Sequence, residues 1–329
     1  MSVIKSEFNV KILKKILEHR YYKQPELMNI KFRLLSSQIE YSKVYDLEEI
    51  AKINSQLDDY EKIRWKNQIR NTILNQQKIK DSRVAVFGCG GVGTNVLVSL
   101  AYFGIYNFKI VDYDKIELSN LNEQTLYCPD DIGKLKVNKA SEQLEQINPR
   151  INIITYNMAV KYPLELSVLE LNDTNYPSEI KNVNEIIKWA DYVVCSLDYY
   201  GGPYLINDLC IKNQKPYYWG ACNYFLGDMF IYHPKKKIPC LRCALGPTDF
   251  SNQTNFMRYQ KPEDEYKAIN LTSTNIIIGT FISENIIKDI CEIENINNGH
   301  YIIYDGYEMK LYSIPIISDI NCKCSFYKI

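Results

Sequence analysis

Histidine is scarce, with three in 329 residues. His233 stands beside Pro234 behind an apolar run, and no Ser-His-Asp or HExxH arrangement is present, so neither a hydrolytic triad nor a zinc-protease motif is supported. Net charge is lacking too: 39 Lys and Arg balance 39 Asp and Glu, which removes any bulk attraction to nucleic acid or an anionic membrane. Nowhere are there about eighteen consecutive apolar residues, and the start, Met1-Ser-Val-Ile-Lys-Ser-Glu7, has no apolar core behind its charges. The expectation is a cytoplasmic protein with neither membrane nor nucleic-acid partners. Its ten cysteines therefore read as reduced thiols and metal ligands rather than a disulfide framework. At 46% hydrophobic and 24% charged, the chain can bury one large core with a small appended domain.

What is present is concentrated between Arg83 and Asp114. An apolar run, Val84-Ala-Val-Phe87, breaks at Gly88-Cys-Gly-Gly-Val-Gly93, and an apolar-periodic stretch follows from Val96 to Phe103. This is strand, glycine turn and helix. Without side chains, Gly88, Gly90, Gly91 and Gly93 allow the backbone to approach a phosphate, which the positive end of the helix attracts. A second strand, Phe108-Lys-Ile-Val111, ends at Asp112, where a carboxylate can hold both ribose hydroxyls. By itself this pattern also suits a dehydrogenase, or a turn that binds nothing.

Further motifs follow: Ser119-Asn-Leu-Asn-Glu-Gln-Thr125, Asp131-Ile-Gly-Lys-Leu-Lys-Val-Asn-Lys-Ala140, Ile147-Asn-Pro-Arg150 and Cys195-Ser-Leu-Asp198. Their order resembles the ThiF/MoeB/HesA superfamily, relatives of ubiquitin-activating enzymes that attach AMP to a polypeptide carboxylate. The likeness spans roughly residues 60 to 325. It implies a Rossmann-like, doubly wound α/β sheet, mostly parallel with antiparallel C-terminal strands, and a site for ATP and Mg²⁺. Asn120 matches the family's catalytic asparagine near the phosphates, Gln124 matches its nucleotide-binding glutamine, and Lys136 matches the lysine that stabilises the phosphoryl transition state. Lys134 and Lys139 read as solvated helix residues. Asp198, after the apolar strand Tyr192 to Leu197, matches the Mg²⁺ ligand, with a helix N-cap as the alternative.

Two departures stand out. Asn67, in Arg64-Trp-Lys-Asn-Gln68, occupies the place of an arginine that reaches the phosphates across a homodimer interface, and Glu123 replaces a second arginine. An ammonium from Lys66 cannot reproduce the guanidinium fork. Either ATP is handled with another charge arrangement, or the chain binds a partner without ATP chemistry.

Cys240-Leu-Arg-Cys243 and Cys322-Lys-Cys324 form two close pairs suited to tetrahedral structural zinc, with free thiols or a disulfide as alternatives. CxC departs from the family's second CxxC. No cysteine lies between Ala244 and Ile290, where thioester-forming relatives carry their nucleophile. Cys89, Cys128, Cys195, Cys210 and Cys222 read as packing residues. Residues 246 to 267 resemble a crossover loop, a candidate substrate lid. Asp59 to Lys80 reads as one charged helix. Residues 1 to 58 form a candidate α/β appendage, with a helix at Val10 to Leu17, a strand at Asn29 to Leu35 and a helix at Leu47 to Leu57. It is either a peptide clamp or a packing arm. Microcin-C-type peptide adenylyltransferases share this layout, which implies a peptide or small-protein partner.

Overall fold

The computed structural model describes residues 47–70, 73–161, 169, 175–197, 201–236, 238–245, 270–293, 299–319, 322 and 324. The elements expected at Val10 to Leu17 and Asn29 to Leu35, the loop 246–267 and Asp198 lie outside them. Two compact units divide the chain, Met1–Gln77 and Lys78–Ile329.

In the first unit, α1 (Leu47–Ile53) precedes α2 (Asp59–Arg64). Asp58 and Glu61 close a capping box at the start of α2, each side chain accepting the other's backbone N–H. The single helix expected from Asp59 to Lys80 is not found. Trp65 leaves the helical region at φ −103° and ψ 23°, turns follow to Arg70, and α3 (Gln76–Asp81) begins afresh. Charge content alone carried that expectation, whereas Asn67 and Asn75 compete with helical backbone bonding.

The second unit is built on an eight-stranded sheet of order β3-β2-β1-β4-β5-β6-β7-β8. These strands are Arg83–Phe87, Asn107–Val111, Asn152–Tyr156, Tyr192–Cys195, Tyr217–Asn223, Leu226–Tyr232, His300–Asp305 and Lys310–Pro315, β1 to β8 in turn. Pairs among β1 to β5 run parallel, and β5/β6, β6/β7 and β7/β8 run antiparallel. The expected doubly wound architecture is present, with its change of direction between β1 and β4. Val84 to Phe87 are all buried, as an unbroken apolar strand covered on both faces requires.

Two helices cover one face, α4 (Gly91–Phe103) and the later Thr272–Ile290. Gly279 lets them meet closely: a Cβ there would lie 2.7 Å from Asn95 and 3.0 Å from the Val92 carbonyl oxygen. On the other face, Phe87, Val193, Tyr217 and Phe230 pack with Ile187 and Leu209. Those last two belong to helices Ser178–Trp189 and Gly202–Lys212. In chain order the helices after α4 are α5 (Lys136–Ile147), α6 (Ser178–Trp189), α7 (Gly202–Lys212), α8 (Leu241–Leu245) and α9 (Thr272–Ile290).

Candidate active site

The carboxyl end of β1 and the start of α4 build the centre of the site. Gly88 turns the chain at φ +103°, a conformation that disfavours a side chain, and its N–H bonds the Val111 carbonyl at 2.8 Å. Gly93 is fixed by space: a Cβ there would stand 1.9 Å from the Gly88 oxygen. Gly90 is different. Its nearest prospective neighbour is Gln124 Nε2 at 3.9 Å, and it caps α4 without a side-chain acceptor. That open side and the helix's first N–H groups make it the place where a phosphate can approach. A Cβ at Gly91 would instead meet Asn275 at 2.4 Å.

Asp112 is buried at the end of β2. Cys89 N–H donates to its Oδ2 at 2.6 Å and Asp114 N–H to its Oδ1 at 2.8 Å. Lys136, the first residue of α5, is 5% exposed and donates through Nζ to Asp114 Oδ2 at 2.9 Å. Burial pushes the Asp112 carboxyl above the usual carboxylate range, while the Lys136 ammonium and the two N–H donors pull it back. For Lys136, burial disfavours the ammonium, but Asp112 and Asp114 outweigh it and hold the pKa above the ordinary lysine value. The result is a fixed positive charge beside the glycine turn. Tyr127 Oη locks the arrangement, donating at 2.9 Å to the Cys89 carbonyl and lying 3.3 Å from that of Lys136. Burial raises the Cys89 thiol far from ionisation, so it is not a nucleophile.

Asn120 and Gln124 lie on the segment that follows. Asn120 Oδ1 accepts the Glu117 N–H at 2.9 Å, shaping a 3₁₀ turn over Leu118–Asn120. Gln124 is 4% exposed; its Nε2 donates to Glu123 Oε1 at 3.2 Å, and its Oε1 has no partner among the described residues. Glu123 is no open anion facing phosphates. Its other oxygen accepts from Asn275 Nδ2 at 3.2 Å, which ties this segment to α9. Thr272 Oγ1 adds a hydrogen bond to the Asn122 carbonyl, and Asn122 Nδ2 donates to that of Asn270 at 3.4 Å. Ser196, whose N–H bonds the Phe87 carbonyl at 2.8 Å, brings the end of β4 to the glycine turn.

Thus Gly88, Gly90, Gly91, Gly93, Asp112, Gln124 and Lys136 come together around one strand end. Asp114, Tyr127 and Asn275 were not singled out in the sequence. Asp114 is signalled by its spacing from Asp112, but nothing local marks Asn275. Two expectations need correcting nearby. Cys128 is exposed, not packed, and Lys139 is 12% exposed, with Nζ 3.2 Å from buried Asp131 Oδ1.

The second cluster lies at α8. Cys240, Cys243, Cys322 and Cys324 bring their sulfurs within 4.8 Å of one another, with separations of 3.9 Å (240–243), 3.6 Å (240–322) and 3.7 Å (243–324). Four thiolates around zinc at ~2.3 Å have sulfurs about 3.8 Å apart, so the set fits that ion, CxC included. A disulfide needs sulfurs ~2.05 Å apart, and all ten cysteines are free. Arg242, between the first pair, forks onto Asp208 of α7 at 2.9 and 2.8 Å.

The chain is similar to several known proteins. The Thermus thermophilus "Sulfur carrier protein adenylyltransferase" is 25% identical over 257 residues, covering 75% of this chain and 83% of that protein. The Culex quinquefasciatus "Adenylyltransferase and sulfurtransferase MOCS3" is 26% identical, over 74% of this chain but 50% of its own length. Among solved structures, E. coli MccB crystallised with ATP superposes with a TM-score of 0.64 at 21% identity, covering 80% of this chain and 74% of that one. The ThiF family model matches residues 63–326, and the chain belongs to the ThiF family.

Proposed function

We propose that this chain is an ATP-dependent adenylyltransferase that activates the C-terminal carboxylate, or a carboxamide-derived group, of a peptide or small protein, in the modification of ribosomal peptides. The observation that carries this reading is Lys136, buried and held charged between Asp112 and Asp114 beside an open glycine turn. A carboxylate oxygen attacks the α-phosphorus of ATP, the bond to the β-phosphate bridging oxygen breaks, and pyrophosphate leaves with that electron pair. The products are an acyl adenylate and pyrophosphate. In this scheme the N-terminus of α4 receives phosphate, Asp112 takes the ribose hydroxyls, Asn120 and Gln124 contact phosphate oxygens, and Lys136 offsets the charge that develops. Asp198 is assigned to Mg²⁺, which offsets triphosphate charge when bound.

The four cysteines are assigned to one structural zinc, residues 1–58 to gripping the peptide, and the active form to a homodimer, which light scattering checks. A monomeric mass at working concentration removes the last assignment. The activities for which the relatives are named support the adenylation step and also suit a sulfur-carrier protein as substrate. Asn67 and Glu123 favour a second reading, delivery of a precursor peptide without ATP chemistry. Asp198→Asn separates the two: pyrophosphate exchange should fall by about a thousandfold while peptide binding persists. Unchanged exchange removes Asp198 from catalysis, since asparagine caps a helix as well as aspartate does.

A further inference from the structure

Beyond the nucleotide, the antiparallel half of the sheet carries polar groups that the adenylation chemistry does not use. Trp219, Phe230 and Tyr301 lie in one row across β5, β6 and β7, and Ala221, Asp228, Ile303 and Tyr312 form the next row, extended onto β8. Paired residues share a face, and so do residues two apart along a strand. Asp228 is therefore a half-buried carboxylate set among aromatic and aliphatic side chains. Tyr301 donates a hydrogen bond to it, and no lysine or arginine pairs with it among the described residues. Trp219 is 8% exposed, its ring centre 6.1 Å from that of Tyr301, and its indole N–H has no acceptor among the described residues. An acceptor without a cation and a buried donor without an acceptor are both costly, unless a ligand completes them.

Their place in the fold says what that ligand is. Trp219 pairs with Cys195 at the carboxyl end of β4, so Ala221 and Asp228 lie level with residue 197, at the end of the sheet that holds the glycine turn. Asp228, on β6, stands two strand spacings from β4, about 10 Å, and an extended chain covers that in about three residues. We infer that Asp228 and the Trp219 indole N–H form a subsite that reads the substrate tail about three residues before its reacting terminus and selects a basic side chain there. The carboxylate takes the cation, the neighbouring aromatic rings favour it further, and the indole N–H takes a tail carbonyl. Burial raises the Asp228 carboxyl above its usual range, and the Tyr301 hydroxyl lowers it; an arriving ammonium supplies the missing compensation. This assignment rests on the adenylation reading above for the direction of the tail.

Decapeptides ending in X-Gly-Gly, with X as Lys, Gln or Glu, test the subsite by calorimetric binding and by ATP–pyrophosphate exchange. The full-length wild type should bind the Lys peptide about tenfold more tightly than the Gln peptide and the Glu peptide most weakly. Asp228→Asn, a replacement of the same shape, should erase the Lys preference while leaving the Gln peptide and the melting temperature unchanged. Equal affinity for all three peptides, a Lys preference that survives in Asp228→Asn, or no binding of any of them overturns the inference. Exchange without a Lys preference sinks the subsite and spares adenylation. A Lys preference in binding without exchange does the reverse.

Discussion

Replacing Lys136 by methionine removes the charge and keeps most of the volume. The Nζ–Asp114 contact of 2.9 Å is lost, and buried Asp112 loses the ammonium that pulls its carboxyl down. Because Asp114 is 41% exposed, water takes over much of that partner's compensation, and the fold should lose only about 1–2 kcal/mol. The rate suffers more. A fixed cation aimed at developing phosphoryl charge contributes about 3–4 kcal/mol, so exchange should fall by roughly 100- to 1000-fold. A pH effect comes with it. Without Lys136 the Asp112 carboxyl shifts further upward, so the acid limb of the residual activity should move to higher pH. Lys136→Arg keeps the charge but moves it, and should hold the melting temperature while recovering only part of the rate. The assay is ATP–pyrophosphate exchange beside a thermal melt and ATP binding. Wild-type exchange in Lys136→Met would refute the reasoning, as would a loss that merely tracks unfolding.

The glycines should separate by role: Gly93→Ala, with 1.9 Å to the Gly88 oxygen, should prevent a native melt, whereas Gly90→Ala should fold and weaken ATP binding in a filter or calorimetric assay. Asp208→Ala leaves the Arg242 guanidinium without its forked partner in a side chain 15% exposed, and should cost about 2–4 kcal/mol in urea unfolding and speed zinc loss to a chelator. Elemental analysis of the reduced wild type should find one zinc per chain, and none found removes the metal assignment. The family's arginine, restored as Glu123→Arg, should lower stability rather than raise ATP affinity, because Glu123 is 9% exposed and accepts from both Gln124 and Asn275. Tighter ATP binding with an unchanged melt contradicts that.

Local spacing made much of the site legible. The strand, glycine turn and helix and the acidic end of β2 each follow from residues a few positions apart, the lysine opening α5 was marked by the family likeness, and the paired cysteines suit a tetrahedral set. What could not be read depends on distant partners. Glu123 looked like a misplaced anion until Asn275, 152 residues away, proved to hold it. Lys139 looked solvated because helix periodicity does not show that Asp131 is folded beneath it. The helix expected from Asp59 to Lys80 failed for a different reason. Its charge suggested one continuous solvated face, but Asn67, Asn75 and buried Trp65 interrupt that face. The antiparallel extension of the sheet followed from family likeness, since short apolar runs carry no record of direction.

The central claim is that ATP and a polypeptide carboxylate react here, and ATP–pyrophosphate exchange by the wild type tests it most directly. Candidate substrates are peptides encoded by the neighbouring open reading frames. The account predicts radiolabelled pyrophosphate entering ATP only when a peptide with a free or convertible C-terminus is present. Peptide binding without any exchange, across the whole candidate set, contradicts it and leaves the chain a carrier of its peptide.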